Sequence, residues 1–204
     1  MTGLGAVAAG CVVFAYYRSP YWNLVGLRPQ QPVLFSHRHH AGELRIDCRY
    51  CHATVETAAF AGMPTTHTCL TCHSQIFTDT AMLQPVVASA TQDRPLVWNR
   101  VNDLPDHVYF NHSIHIAKGV ACTTCHGDVG DMALMQRGEP LEMRWCLQCH
   151  RDPAPRLEAD RSTVFSPHPS PGTGHPVSPQ RKAQLYSERF IHPGHLTNCS
   201  TCHH

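Results

Sequence analysis

The chain spells Cys-x-x-Cys-His five times in 204 residues: Cys48–His52, Cys69–His73, Cys122–His126, Cys146–His150 and Cys199–His203. With 11 Cys and 17 His in the whole chain, random placement yields about 0.05 copies, so composition does not account for five. Each motif offers two thiols a fixed step apart and an imidazole directly after them, which is the attachment signal of a c-type haem. In that reading Cys48, Cys51, Cys69, Cys72, Cys122, Cys125, Cys146, Cys149, Cys199 and Cys202 bond to haem vinyl groups. His52, His73, His126, His150 and His203 are then the proximal iron ligands. Zinc sites also use Cys-x-x-Cys pairs, but they need no histidine after every pair. Thioredoxin-like redox motifs come singly in a βαβ setting, which is absent here. The sequence calls for five haems c.

That cofactor load constrains the fold. Five haems leave roughly 41 residues each, too few for five separate apolar cores. The porphyrins themselves must be the core. Only 15% of residues are charged, prolines number 16, and no long run keeps a 3.6-residue apolar spacing. The expected fold is that of a multihaem cytochrome c: short α-helices and coil wrapped around the haems. A formal net charge of +1 argues against a nucleic-acid footprint. Haem attachment of this kind takes place on the outer side of the cytoplasmic membrane, so ten consumed cysteines also speak for an extracytoplasmic domain.

An internal repeat precedes three of the motifs. Phe35-Ser-His37-Arg-His39-His40 leads to Cys48, Phe110-Asn-His112-Ser-Ile-His115 to Cys122, and Phe190-Ile-His192-Pro-Gly-His195 to Cys199. The motifs follow one another short-long-short-long, as two and a half copies of a two-haem module would. The modules run over about 33–106 and 107–185, with a half module at 186–204. The repeats supply the candidate distal ligands His37, His40, His112, His115, His192 and His195. Met143, just ahead of Cys146, is the main competitor, since a methionine ligand raises haem potential; its other reading is packing against a porphyrin face. Met63, His67, His39 and His107 are weaker candidates. Trp98 and Trp145 read as haem-packing aromatics.

Residues 1–17 carry no charged side chain; Arg18, Tyr21 and Trp22 follow. An apolar run of this length is at the lower limit for crossing a bilayer, and aromatics at its end suit the interface. Residues 1–22 are therefore expected to form one N-terminal transmembrane helix with its interface belt. Residues 23–204 would be the haem domain outside the cytoplasm. Lipidation at Cys11 and a removed signal are the alternatives; without a basic n-region the latter is disfavoured. Of the two long connections, the first should hold a short helix near 81–90. The second, 151–180, is rich in proline and should wrap the haem domain or lie on a partner. His168 and His175 within it read as solvated loop histidines.

The repeats resemble those of class III-type multihaem cytochromes. There the first histidine of Phe-x-His-x-x-His serves the haem that follows, and the second crosses to another. The resemblance implies His37, His112 and His192 on the first, third and fifth haems, with His40 and His115 reaching two others. A more specific likeness lies in Phe35–His52, Cys69–Ile76, Asp103-Leu-Pro-Asp106, Val108–His115 and Leu196–His203. These stretches resemble the pentahaem cytochrome subunit of alternative complex III. That resemblance implies an electron-transfer subunit on the periplasmic face of the inner membrane, relaying electrons from a quinol-oxidising assembly. Its implied partners are multi-span membrane subunits, an iron–sulfur subunit, and a monohaem cytochrome subunit or soluble acceptor. The competing classes are a tethered quinol dehydrogenase of NapC type and a multihaem reductase. A reductase needs an iron with one open face, and here candidate distal ligands outnumber the haems.

Overall fold

The computed structural model describes residues 2–203. Eleven α-helices lie among them: α1 (Thr2–Tyr17), α2 (Pro20–Asn23), α3 (Cys48–Cys51), α4 (Thr66–His73), α5 (Gln84–Thr91), α6 (His112–Lys118), α7 (Cys122–His126), α8 (Met143–Arg151), α9 (Pro179–Glu188), α10 (Pro193–Leu196) and α11 (Cys199–Cys202). Most are one to three turns long, as the dense prolines and glycines require. The only β pairing among the described residues is two isolated antiparallel bridges, Val108 with His203 and Val120 with Leu157. The short-helix-and-coil expectation holds.

The motif cysteines explain three of the shortest elements, α3, α7 and α11. Side chains three apart on a helix point the same way, so a single turn aims both sulfurs of a Cys-x-x-Cys at one haem edge. In α3 the turn is fixed by Asp47, whose carboxylate accepts from the Arg49 backbone N–H and from its guanidinium at 2.8–2.9 Å. In α6 the Asn111 side chain accepts from Ile114 N–H. Gly119, at φ +86°, ends that helix in a left-handed turn, a backbone state that glycine adopts without a Cβ penalty.

Buried apolar side chains gather in two small clusters rather than one core. Val120, Ala154, Leu157, Leu185 and Ile191 form the first; Val55, Ile116 and Val164 form the second, with Cys122 and Phe165 against it. Both draw on the proline-rich segment 151–180. It has no core of its own, as its composition implies, yet it is not merely draped on the surface. Two 3-10 turns, Ala154–Arg156 and Arg161–Phe165, push Ala154, Leu157 and Val164 inward. The Glu158 N–H donates to Gly119 O at 2.9 Å, and Gly130 N–H donates to Pro167 O at 2.8 Å. The segment lies against the chain on both sides of the third motif.

The N-terminus requires a correction. Helix α1 has 16 residues, about 24 Å at 1.5 Å per residue, against the roughly 30 Å of a hydrocarbon core. No helix among the described residues is long and apolar enough to cross a membrane, so the expected transmembrane helix over 1–22 is not supported. The break has a local cause: Pro20 has no N–H to continue the helix and disfavours helical geometry at Ser19. The chain restarts as α2, and Tyr17 and Trp22 pack edge to face at 4.6 Å across the bend. Residues 3–17 are exposed along the whole helix.

Candidate haem-binding centres

None of the ten motif cysteines is in a disulfide, and no three His, Cys, Asp or Glu side chains among the described residues converge on a bare ion. What the fold brings together is pairs of imidazoles. His112 faces His126 with ring centres 6.4 Å apart and planes parallel to within 2°. His115 faces His150 at 6.2 Å and 25°. His40 faces His73 at 6.2 Å and 60°. His107 faces His203 at 5.7 Å and 18°. Two imidazoles bound by Nε2 on opposite sides of one metal at about 2 Å each have ring centres roughly 6 Å apart. Each observed gap therefore fits one iron. His37 lies near His52: burial first, then the His52 and His40 rings, hold its pKa down to about 4, and its Nδ1 is buried without a partner.

The second ring nitrogens carry the same message. A metal-bound imidazole almost always donates its other N–H to a carbonyl, carboxylate or water, which fixes the tautomer that leaves Nε2 free for the metal. Here His52 Nδ1 meets Gly62 O at 2.7 Å, His112 Nδ1 meets Ala59 O at 2.7 Å, and His150 Nδ1 meets Leu196 O at 2.9 Å. His40 and His115 bond to the carbonyls four residues back, Ser36 O at 2.9 Å and Asn111 O at 2.7 Å. His73 and His203 make longer contacts, 3.3 Å each, with Ile76 O and His107 O. His126 Nδ1 lies 2.8 Å from the Asn102 side-chain amide. Burial, then His112, His52 and His37, keeps His126 down to about 4, which preserves the neutral, ligating form.

The first two repeats are built alike. Phe35 stacks on His40 at 4.3 Å and 26° and meets His37 edge-on at 4.9 Å. Phe110 stacks on His115 at 4.7 Å and 26° and meets His112 edge-on at 4.7 Å. Each phenylalanine thus holds both histidines of its repeat. In the first copy the backbone after His37 is a π-helical turn, Arg38–Glu43, a form often found at functional sites.

The third repeat differs. Pro193 and Gly194 separate its two histidines, and α10 begins at Pro193. His192 and His195 are exposed. The ring that faces His203 is His107, not His192. Met143 also lies elsewhere: it is 63% exposed at the start of α8, while His115 faces His150. His107 was the weakly marked residue; its one signal in the sequence is its place just before Val108 and Tyr109, which pair with the fifth motif through Val108–His203 and Tyr109 N–H to Cys202 O at 2.7 Å. His168 bonds to Asp128 at 2.8 Å, and His175 is exposed. His39 binds Glu43 at 2.9 Å, and His67 is exposed.

Cysteine pairs that each share a helical turn, imidazoles facing across one-metal gaps, and a fold with little apolar core of its own are what a multihaem c-type cytochrome requires. Comparison with known proteins finds a relative of that kind. The chain is 29% identical over 201 residues to a protein of Nitratidesulfovibrio vulgaris named menaquinone reductase, multiheme cytochrome c subunit; the match covers 98% of this chain and 78% of that protein. No protein-family model matches the chain.

Proposed function

We propose that this chain is an electron-relay subunit carrying five haems c in a quinone-linked respiratory membrane complex. The observation that carries the reading is the set of four facing imidazole pairs, His73 with His40, His126 with His112, His150 with His115, and His203 with His107, several with an Nδ1 tied to a carbonyl. The fifth pair in this reading is His52 with His37, which lies near it. When bound, haem supplies reversible one-electron chemistry at iron. The chain's own residues would attach it, offer two imidazoles to its iron and bury it. With two imidazoles for each iron, none would keep a face for substrate, which favours relay over a multihaem reductase. Axial ligand identity, hydrogen bonding and burial are then what tune each potential.

The quinone link rests on the relative's name and on the resemblance to the pentahaem subunit of alternative complex III. The first suggests delivery of electrons to menaquinone, the second their removal from quinol. Either way the relay joins a quinone-active membrane partner to a second redox protein on the extracytoplasmic side. The test is direct. Mass spectrometry of the denatured protein should show five haem increments, and EPR of the oxidised protein should show low-spin iron only. Four increments or fewer would defeat the haem count. A high-spin signal, or carbon monoxide binding by the untreated protein, would revive the reductase. Co-purification with a multi-span complex, and the direction in which quinone reacts with the haems, decides which complex it serves.

A further inference from the structure

We infer that the five attachment sites stand in single file, in the spatial order second, first, third, fourth, fifth, so that the second and fifth sites are the two ends of the relay. This rests on the relay reading above and deepens it: the order along the file is not the order along the chain. Each junction has its own geometry.

The second and first sites are joined by one helical turn, because His40 faces His73 while His37, three residues before it, lies near His52. A hydrogen bond between Tyr50 and Thr71 at 2.6 Å, from inside one motif to inside the next, holds the same junction. The third and fourth sites are joined the same way by His112 and His115 on α6, whose rings face His126 and His150. The two modules meet between the first and third sites. There both the backbone N–H and the Nδ1 of His112 donate to Ala59 O, seven residues beyond His52. Ile116 and Cys122 pack in one cluster with Val55. The fourth and fifth sites join where His150 Nδ1 bonds Leu196 O at 2.9 Å and stands 4.0 Å from Cys202 Sγ.

An independent feature marks the ends. Among the ten attachment cysteines only Cys72 and Cys199 are exposed, one in the second motif and one in the fifth. Electron tunnelling favours short steps, so the redox partners must approach these two ends, and the first, third and fourth sites serve as interior steps.

The test is a structure of the haem-loaded protein, with each iron assigned by the cysteines to which its haem is bonded. The expected nearest neighbours are second–first, first–third, third–fourth and fourth–fifth, with second-to-fifth the longest separation. A file with the first site at an end, or with the second site next to the third, would overturn the order. Failure of the relay reading looks different: fewer than five irons, or an iron with an open face, would remove the relay while leaving the order of the loaded sites readable.

Discussion

Asn102 sits on the back of one haem ligand, and its replacement is expected to move one potential. Its amide nitrogen lies 2.8 Å from His126 Nδ1, while its Oδ1 is buried without a partner. An iron-bound His126 carries its proton on Nδ1, so the productive amide orientation is the one turned by 180°, with Oδ1 accepting from Nδ1–H. That bond makes the imidazole a stronger donor and stabilises oxidised over reduced iron. Removing it with Asn102→Leu should therefore raise the potential of the third haem. A neutral hydrogen bond contributes about 1 kcal/mol, and 59 mV per tenfold for a one-electron couple converts this to about 40 mV as the upper bound. Asn102→Asp should act in the opposite sense. A charge-assisted bond is about twice as strong, about 1 kcal/mol more than the bond it replaces, so the same potential should fall by up to about 40 mV. The assay is a redox titration followed by EPR, in which the parallel ligand planes of His112 and His126 distinguish this haem from the twisted His40–His73 pair. Equal shifts in all five haems, or the same sign from both variants, would refute the reasoning.

Three further outcomes follow from the geometry. His107→Ala should open one face of the fifth haem and produce a high-spin EPR signal and carbon monoxide binding, whereas His192→Ala should leave both unchanged. Met143→Leu should move no haem potential beyond the error of a redox titration, because the side chain stands away from the His115–His150 pair. Arg189→Met should lower the thermal midpoint, with a loss of about 2–4 kcal/mol read by denaturant titration, because its guanidinium donates to Lys118 O at 2.8 Å and Glu158 O at 2.6 Å from a buried position. Gly119→Ala should act alike, since its Cβ would fall on the Arg189 guanidinium and its φ is +86°.

Covalent signals were the legible part of this chain. Cys-x-x-Cys-His states its chemistry in five consecutive positions, and Phe-x-His-x-x-His places two rings on one turn by spacing alone. The helix expected near 81–90 is present as a 3-10 turn, Ala81–Leu83, running into α5, because Pro85 is tolerated in a first turn. What was not legible depends on contacts distant in sequence. Asn102 reaches His126 across 24 residues and His107 reaches His203 across 96, with no local pattern at either position. The proline-rich segment misled for a related reason. Its composition denies it a core of its own, yet Ala154, Leu157 and Val164 become buried once Val120, Ile116 and Leu185 are there to receive them.

The third repeat shows which part of the module is indispensable. In the first two copies the second histidine bonds to the carbonyl four residues before it and stacks on the phenylalanine that opens the repeat. Both contacts need a helical turn through the two residues between the histidines. In the third copy those residues are Pro193 and Gly194: proline starts a helix readily but cannot donate within one, and glycine weakens it. The turn therefore begins after His192 instead of at it, and both histidines are left exposed. In the proposed file the fifth site is an end, and an end needs no second, crossing histidine. The requirement that remains is one distal imidazole, and His107, carried in by the Val108–His203 bridge, would meet it from the connection between the second and third motifs. The decayed repeat and the end of the file are thus two aspects of one arrangement.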